Sequence, residues 1–149
     1  MKVVKIIQWD MGHRVMNHRS VCKGLHGHRY KAEICVEGNL VSEPGISEEG
    51  MVIDFADIKK ISNSFIQEKL DHAFMVWEKD LELLEFFEKS EGHKPVIVPF
   101  TSTAENVAKY IFNELDGKFR DHFGTGLRLH SIKLWETPTS CAIYSIEDK

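Results

Sequence analysis

His26-Gly27-His28-Arg29-Tyr30-Lys31-Ala32-Glu33-Ile34-Cys35-Val36-Glu37 is the stretch that sets the fold. Tyr30, Ala32, Ile34 and Val36 alternate with Arg29, Lys31, Glu33, Cys35 and Glu37. A period of two predicts a strand over 28–37 with one buried face, the habit of an antiparallel sheet. The same parity lets His26 and His28 point to one side. With His13 from a neighbouring segment they make three imidazole nitrogens, the donor set of a catalytic zinc site with one open position. Cys22, in Cys22-Lys23-Gly24-Leu25-His26, is then either a fourth ligand that closes the site or a free thiol beside it. A structural zinc protein follows from the first alternative, an enzyme from the second.

Outward from this stretch, residues 2–9 carry Val3, Val4, Ile6, Ile7 and Trp9 and predict a first strand, with 15–25 a loop. Residues 38–50 are rich in Gly, Pro, Ser and Glu, a surface loop. Asp54 is a fitting N-cap for a helix with Phe55, Ile58, Ile61, Phe65 and Leu70 on its apolar stripe, ending near Leu70-Asp71-His72. Residues 78–100 read as an inserted unit: a short acidic helix over 80–89 with Leu81, Leu83, Leu84 and Phe87 inward, then an edge strand over 95–99 bounded by prolines. Ser102-Thr103-Ala104-Glu105 matches a capping box and starts a second main helix that buries Val107, Ala108, Ile111, Phe112 and Leu115. Asp116-Gly117 and Gly124-Thr125-Gly126 mark its exit. Residues 127–136 and 141–147 close the chain as a hairpin, with a bulge near His130-Ser131 where the alternation slips. The expected fold is α+β in the order ββααββ: a four-stranded antiparallel sheet with two main helices on one face.

At 149 residues the chain is expected to be a single domain with a sizeable core. A net charge of −4 offers no basic stripe for nucleic acid, and no apolar run approaches a membrane span. Residues 1–9 lack the apolar core and cleavage site of a signal peptide. Three cysteines, an odd number, then point to a reducing compartment and a cytoplasmic location.

Two further pairs carry chemistry. Asp71-His72 is a helix-end cap or, beside a thiol, a proton relay in which the carboxylate orients the imidazole. Glu136-Thr137 ends a strand. Buried, Glu136 would take a bidentate hydrogen bond from the amidine-like edge of a pterin or guanine; otherwise it is an exposed strand-end glutamate. A cupin-like metal oxygenase, suggested by His26-Gly27-His28 with Glu33, is weighed against by the two central helices.

Cys22-x-x-x-His26-Gly27-His28, preceded by His13-Arg14, resembles the zinc and thiol motif of the 6-pyruvoyl-tetrahydropterin synthase superfamily. The short gap after the cysteine is similar to the 6-carboxytetrahydropterin synthase branch. The resemblance continues through Gly50-Met51-Val52-Ile53-Asp54-Phe55, Leu70-Asp71-His72, Thr103-x-Glu105-Asn106 and Glu136-Thr137, nearly the whole chain. It implies a tunnelling fold, a homo-oligomer (commonly a hexamer), and sites at subunit interfaces. It further implies zinc on His13, His26 and His28, proton transfer by Cys22, Asp71 and His72, and pterin binding by Glu136 with Thr137, Thr103 and Glu105. The implied activity is a lyase reaction on a pterin, feeding queuosine-type 7-deazaguanine synthesis. This chain departs from the pattern with Ser102 in place of the usual proline, with Trp9 to Gly12 before the first histidine, and with the insert near 78–100.

Overall fold

In the computed structural model, which describes residues 1–149, the alternating stretch is strand β2 (His26–Gly38), paired antiparallel with β1 (Lys2–His13). Their register runs unbroken from Lys2 opposite Glu37 to His13 opposite His26. Both strands are longer than the alternation alone predicts, so the two histidines lie inside the ladder. The chain continues through helix α1 (Phe55–Asn63), β3 (Ala73–Trp77), α2 (Leu81–Lys89), β4 (Pro95–Val98), α3 (Ala104–Phe123), β5 (Leu127–Thr137) and β6 (Ser140–Ser145).

The expectation of a four-stranded antiparallel sheet is corrected. Six strands form one mixed sheet in the order β4-β3-β1-β2-β5-β6, with β3 parallel to β1 and β4 parallel to β3. Ala73-Phe74-Met75-Val76-Trp77 lies between two parallel neighbours, and Ala73, Met75 and Val76 are all buried. Such a strand is a short apolar run without alternation, which is why periodicity does not expose it. Pro95, which has no N–H to give, opens the edge strand β4 as expected.

Three helices form, the two main ones and the short acidic one expected over 80–89. α1 stops at Asn63, and a wide turn over Ile66–Leu70 buries Phe65, Ile66 and Leu70 while Phe55 stays exposed. On α2 only Leu83 is buried and Leu81 faces solvent, because the helix packs only sparsely on the other elements. α3 is capped by Thr103 rather than Ser102, the Thr103 hydroxyl accepting from Asn106 N at 3.4 Å. The helix passes through Asp116-Gly117, where buried Asp116 pairs with Arg120 and Lys149, and ends at Gly124 with φ +62°. The predicted bulge is present: the β2–β5 register shifts so that His130 is skipped.

Ile7, Trp9, Met11, Tyr30, Ala32, Ile34, Leu129, Ile132 and Leu134 form the sheet's inner layer. Against it pack Ile58 of α1 and Val107, Ile111, Phe112, Leu115 and Phe119 of α3. Each such fully buried aliphatic or aromatic chain stabilises the fold by about 1.5–3 kcal/mol. Cys35, expected outward, is buried. No helix is long and apolar enough to cross a membrane.

Candidate active site

The long β1–β2 register delivers the histidines. Opposed residues of an antiparallel pair share a face, so His13, His26 and, two residues along, His28 all project to the side that holds Met11 and Tyr30. Their ring centroids lie 4.5 Å (His13–His26), 5.0 Å (His26–His28) and 5.1 Å (His13–His28) apart. One nitrogen from each falls within 4.8 Å of the others.

The protonation pattern suits a metal. His13 Nδ1 is 2.7 Å from the Ser102 carbonyl, and His26 Nδ1 is 2.8 Å from the Gly24 carbonyl. A carbonyl only accepts, so each Nδ1 carries the proton and each Nε2 carries the lone pair, that of His13 lying 3.3 Å from the Tyr30 hydroxyl. Burial pushes the His13 pKa down to about 4 against the pull of the Ser102 carbonyl, and burial also lowers that of His28. His28 Nε2 is buried without a hydrogen-bond partner. An orphaned buried nitrogen beside two imidazoles oriented through their Nδ1 atoms fits a divalent cation as the missing partner.

Cys22 lies on a 3₁₀ turn (Val21–Lys23) in the β1–β2 connection. It is outside the compact donor group but lines a cavity of about 320 Å³ together with His13, His26, Thr103, Glu105 and Glu136. The thiol therefore stands beside the imidazole cluster rather than closing it. Glu136 arrives by a second irregularity: Trp135 pairs with Cys141 and Thr137 with Ser140, which leaves Glu136 unpaired and free to turn inward. Its carboxylate is 3.6 Å from His13 Nε2 and 25% exposed, so it is not the bland strand-end residue. Thr137 lies in the turn with Thr139, bordering a neighbouring hollow of about 500 Å³ that Glu136 shares.

Asp71 and His72 do not join this cavity. Asp71 Oδ2 is 3.0 Å from His72 Nδ1, and its Oδ1 accepts from Asp10 N at 3.1 Å. The dyad is therefore built, with the imidazole oriented by the carboxylate. The Asp10 amide and His72 hold the Asp71 carboxyl below its usual value despite burial, which opposes them. His72 sits at φ +57° and is 80% exposed, over a hollow lined by Asp10, Gly12, Gly27, His28 and Arg29.

Several site residues escape sequence reasoning. Tyr30 places its hydroxyl 3.3 Å from His13 Nε2, and burial pushes that phenol's pKa up; its parity with His28 is the signal that would have found it. Cys141, a second thiol, also lines the Cys22 cavity. Ser102 and Asp80 touch the His13-Arg14 segment from far along the chain, and no local pattern announces them.

Residues 2–147 match the 6-pyruvoyl tetrahydropterin synthase family. A 6-carboxy-5,6,7,8-tetrahydropterin synthase of Haemophilus influenzae is 36% identical over 146 residues, covering 96% of this chain and 97% of its own. The enzyme of that name from Rickettsia felis is 35% identical over 137 residues, 92% of this chain and 94% of its own. The fold matches that of Caenorhabditis elegans 6-pyruvoyl tetrahydropterin synthase, with a TM-score of 0.66 at 24% identity over 97% of this chain and 94% of that one. The chain belongs to the 6-pyruvoyl tetrahydropterin synthase family.

Proposed function

We propose that the protein is a zinc-dependent 6-carboxy-5,6,7,8-tetrahydropterin synthase. The reaction converts 7,8-dihydroneopterin triphosphate and one water to 6-carboxytetrahydropterin, with release of acetaldehyde and triphosphate. The observation that carries this reading is a cluster of three converging imidazoles, two of which, His13 and His26, share one cavity with the Cys22 thiol and the Glu136 carboxylate, in a chain whose full-length relatives bear that enzyme's name.

Zinc on His13, His26 and His28 would supply Lewis-acid polarisation of a substrate side-chain oxygen. Glu136 accepts hydrogen bonds from the amidine-like edge of the pterin ring and fixes its orientation, with Thr103, Glu105 and Thr137 at the rim. Cys22 removes a proton from the side chain. His72, oriented by Asp71, returns one. Because His72 lines a different hollow from Cys22 within one chain, the dyad is assigned to the substrate of a neighbouring copy in a homo-oligomer. The product feeds 7-deazaguanine synthesis.

Trapping the aldehyde tests the reaction. The zinc-loaded protein should release one acetaldehyde per substrate consumed. Consumption without aldehyde, with the three-carbon side chain retained, would assign the 6-pyruvoyl-forming reaction instead.

A further inference from the structure

His13 is the last residue of β1, where the ladder to β3 also ends at the His13–Met75 pair. A ligand at a fraying strand end needs support from elsewhere. Ser102, fully buried, touches this point twice. Its carbonyl accepts from His13 Nδ1 at 2.7 Å, and its hydroxyl donates to the Arg14 carbonyl at 3.0 Å. One residue thus sets the imidazole's orientation and the peptide that follows it. Ser102 is itself held at the start of α3, where Thr103 N donates to the Thr101 carbonyl at 2.8 Å and the Asn106 side chain to the same oxygen at 2.9 Å.

The Arg14 side chain extends the grip. Its Nε and one terminal nitrogen bind the two oxygens of Asp80 at 2.7 and 2.5 Å. Asp80 is 2% exposed and also caps α2 through Leu83 N. A buried bidentate pair of this kind is sensitive to loss of either member. His26 has only the Gly24 carbonyl two residues away, and buried His28 Nε2 has none. Among the three donors, His13 is the one fixed by distant elements.

We propose that Ser102 is a positioning residue for the metal ligand His13, and that the unit carrying Asp80 anchors the same segment through Arg14. This rests on the metal-site reading above. It gives the 78–100 insert a role as a buttress of the site.

Zinc affinity, measured by competition with a chromophoric chelator, and the visible spectrum of the cobalt(II) form test it without reference to turnover. Ser102→Ala keeps the main-chain carbonyl and removes the hydroxyl. It should weaken zinc by roughly tenfold and shift the cobalt bands, while circular dichroism matches wild type. Ser102→Thr, which keeps the hydroxyl, should restore both readouts. Wild-type affinity and spectrum in Ser102→Ala, or failure of Ser102→Thr to recover them, overturns the proposal. Should Ser102→Ala not fold, Asp80→Asn decides: weaker zinc binding supports the anchor and unchanged binding overturns it. A wild-type chain that takes up no zinc overturns the metal reading itself, a result distinct from unchanged affinity in the variants.

Discussion

Cys22 shares a cavity with His13 and His26 yet lies outside the group of nitrogens that converge. Cys22→Ala is therefore expected to keep its metal, read by elemental analysis, and to lose turnover by about 10²–10⁴-fold, the usual worth of a proton-transfer group. Loss of metal in that variant would make the thiol a ligand. The Arg14 guanidinium holds the Asp80 carboxyl below its usual 3.8, outweighing burial, with the Leu83 amide adding to it. A carboxylate with a depressed folded-state pKa contributes stability that is full above 3.8 and is lost as pH falls through the lower value. Asp80→Asn should flatten that part of the acid unfolding curve and cost up to about 3 kcal/mol at neutral pH. The histidines were legible because strand parity is local. Ser102 and Asp80 were not, since each meets His13-Arg14 only through a contact spanning tens of positions.

At the scale of elements, the hairpin was readable and its neighbour was not. Tyr30 through Val36 alternates because one face of β2 is wet, whereas Ala73–Trp77 sits between parallel strands and shows no period. What ties these strands together is close approach. A Cβ on Gly12 would run into the Phe74 ring of β3. Gly12→Ala should therefore force the β1–β3 contact apart and destabilise by about 1–3 kcal/mol, seen as a lower urea midpoint. An unchanged midpoint would show that the Phe74 ring swings away freely. The helix starts were legible in type but not always in place. Asp54 caps α1 as its sequence predicts, while the cap of α3 moved to Thr103 because Ser102 is committed to His13 and Arg14.

Within one chain, the two proton-transfer sets of the proposed machinery, Cys22 and Asp71-His72, border different hollows. Asp71-His72 is a formed and exposed dyad over a different hollow from that of Cys22. Sequence order placed both sets in register with a known family, but only the fold reveals their separation. If neighbouring copies complete each other's sites, Cys22→Ala and His72→Ala chains, each inactive alone, should regain activity when dissociated and reassembled together. No recovery would require the dyad to act within its own chain or not at all. Identification of the product tests the proposed reaction. After incubation of the zinc-loaded protein with 7,8-dihydroneopterin triphosphate, mass spectrometry should find 6-carboxytetrahydropterin, and no pterin that keeps its full side chain other than residual substrate. A product that retains all three side-chain carbons, or unchanged substrate, would contradict it.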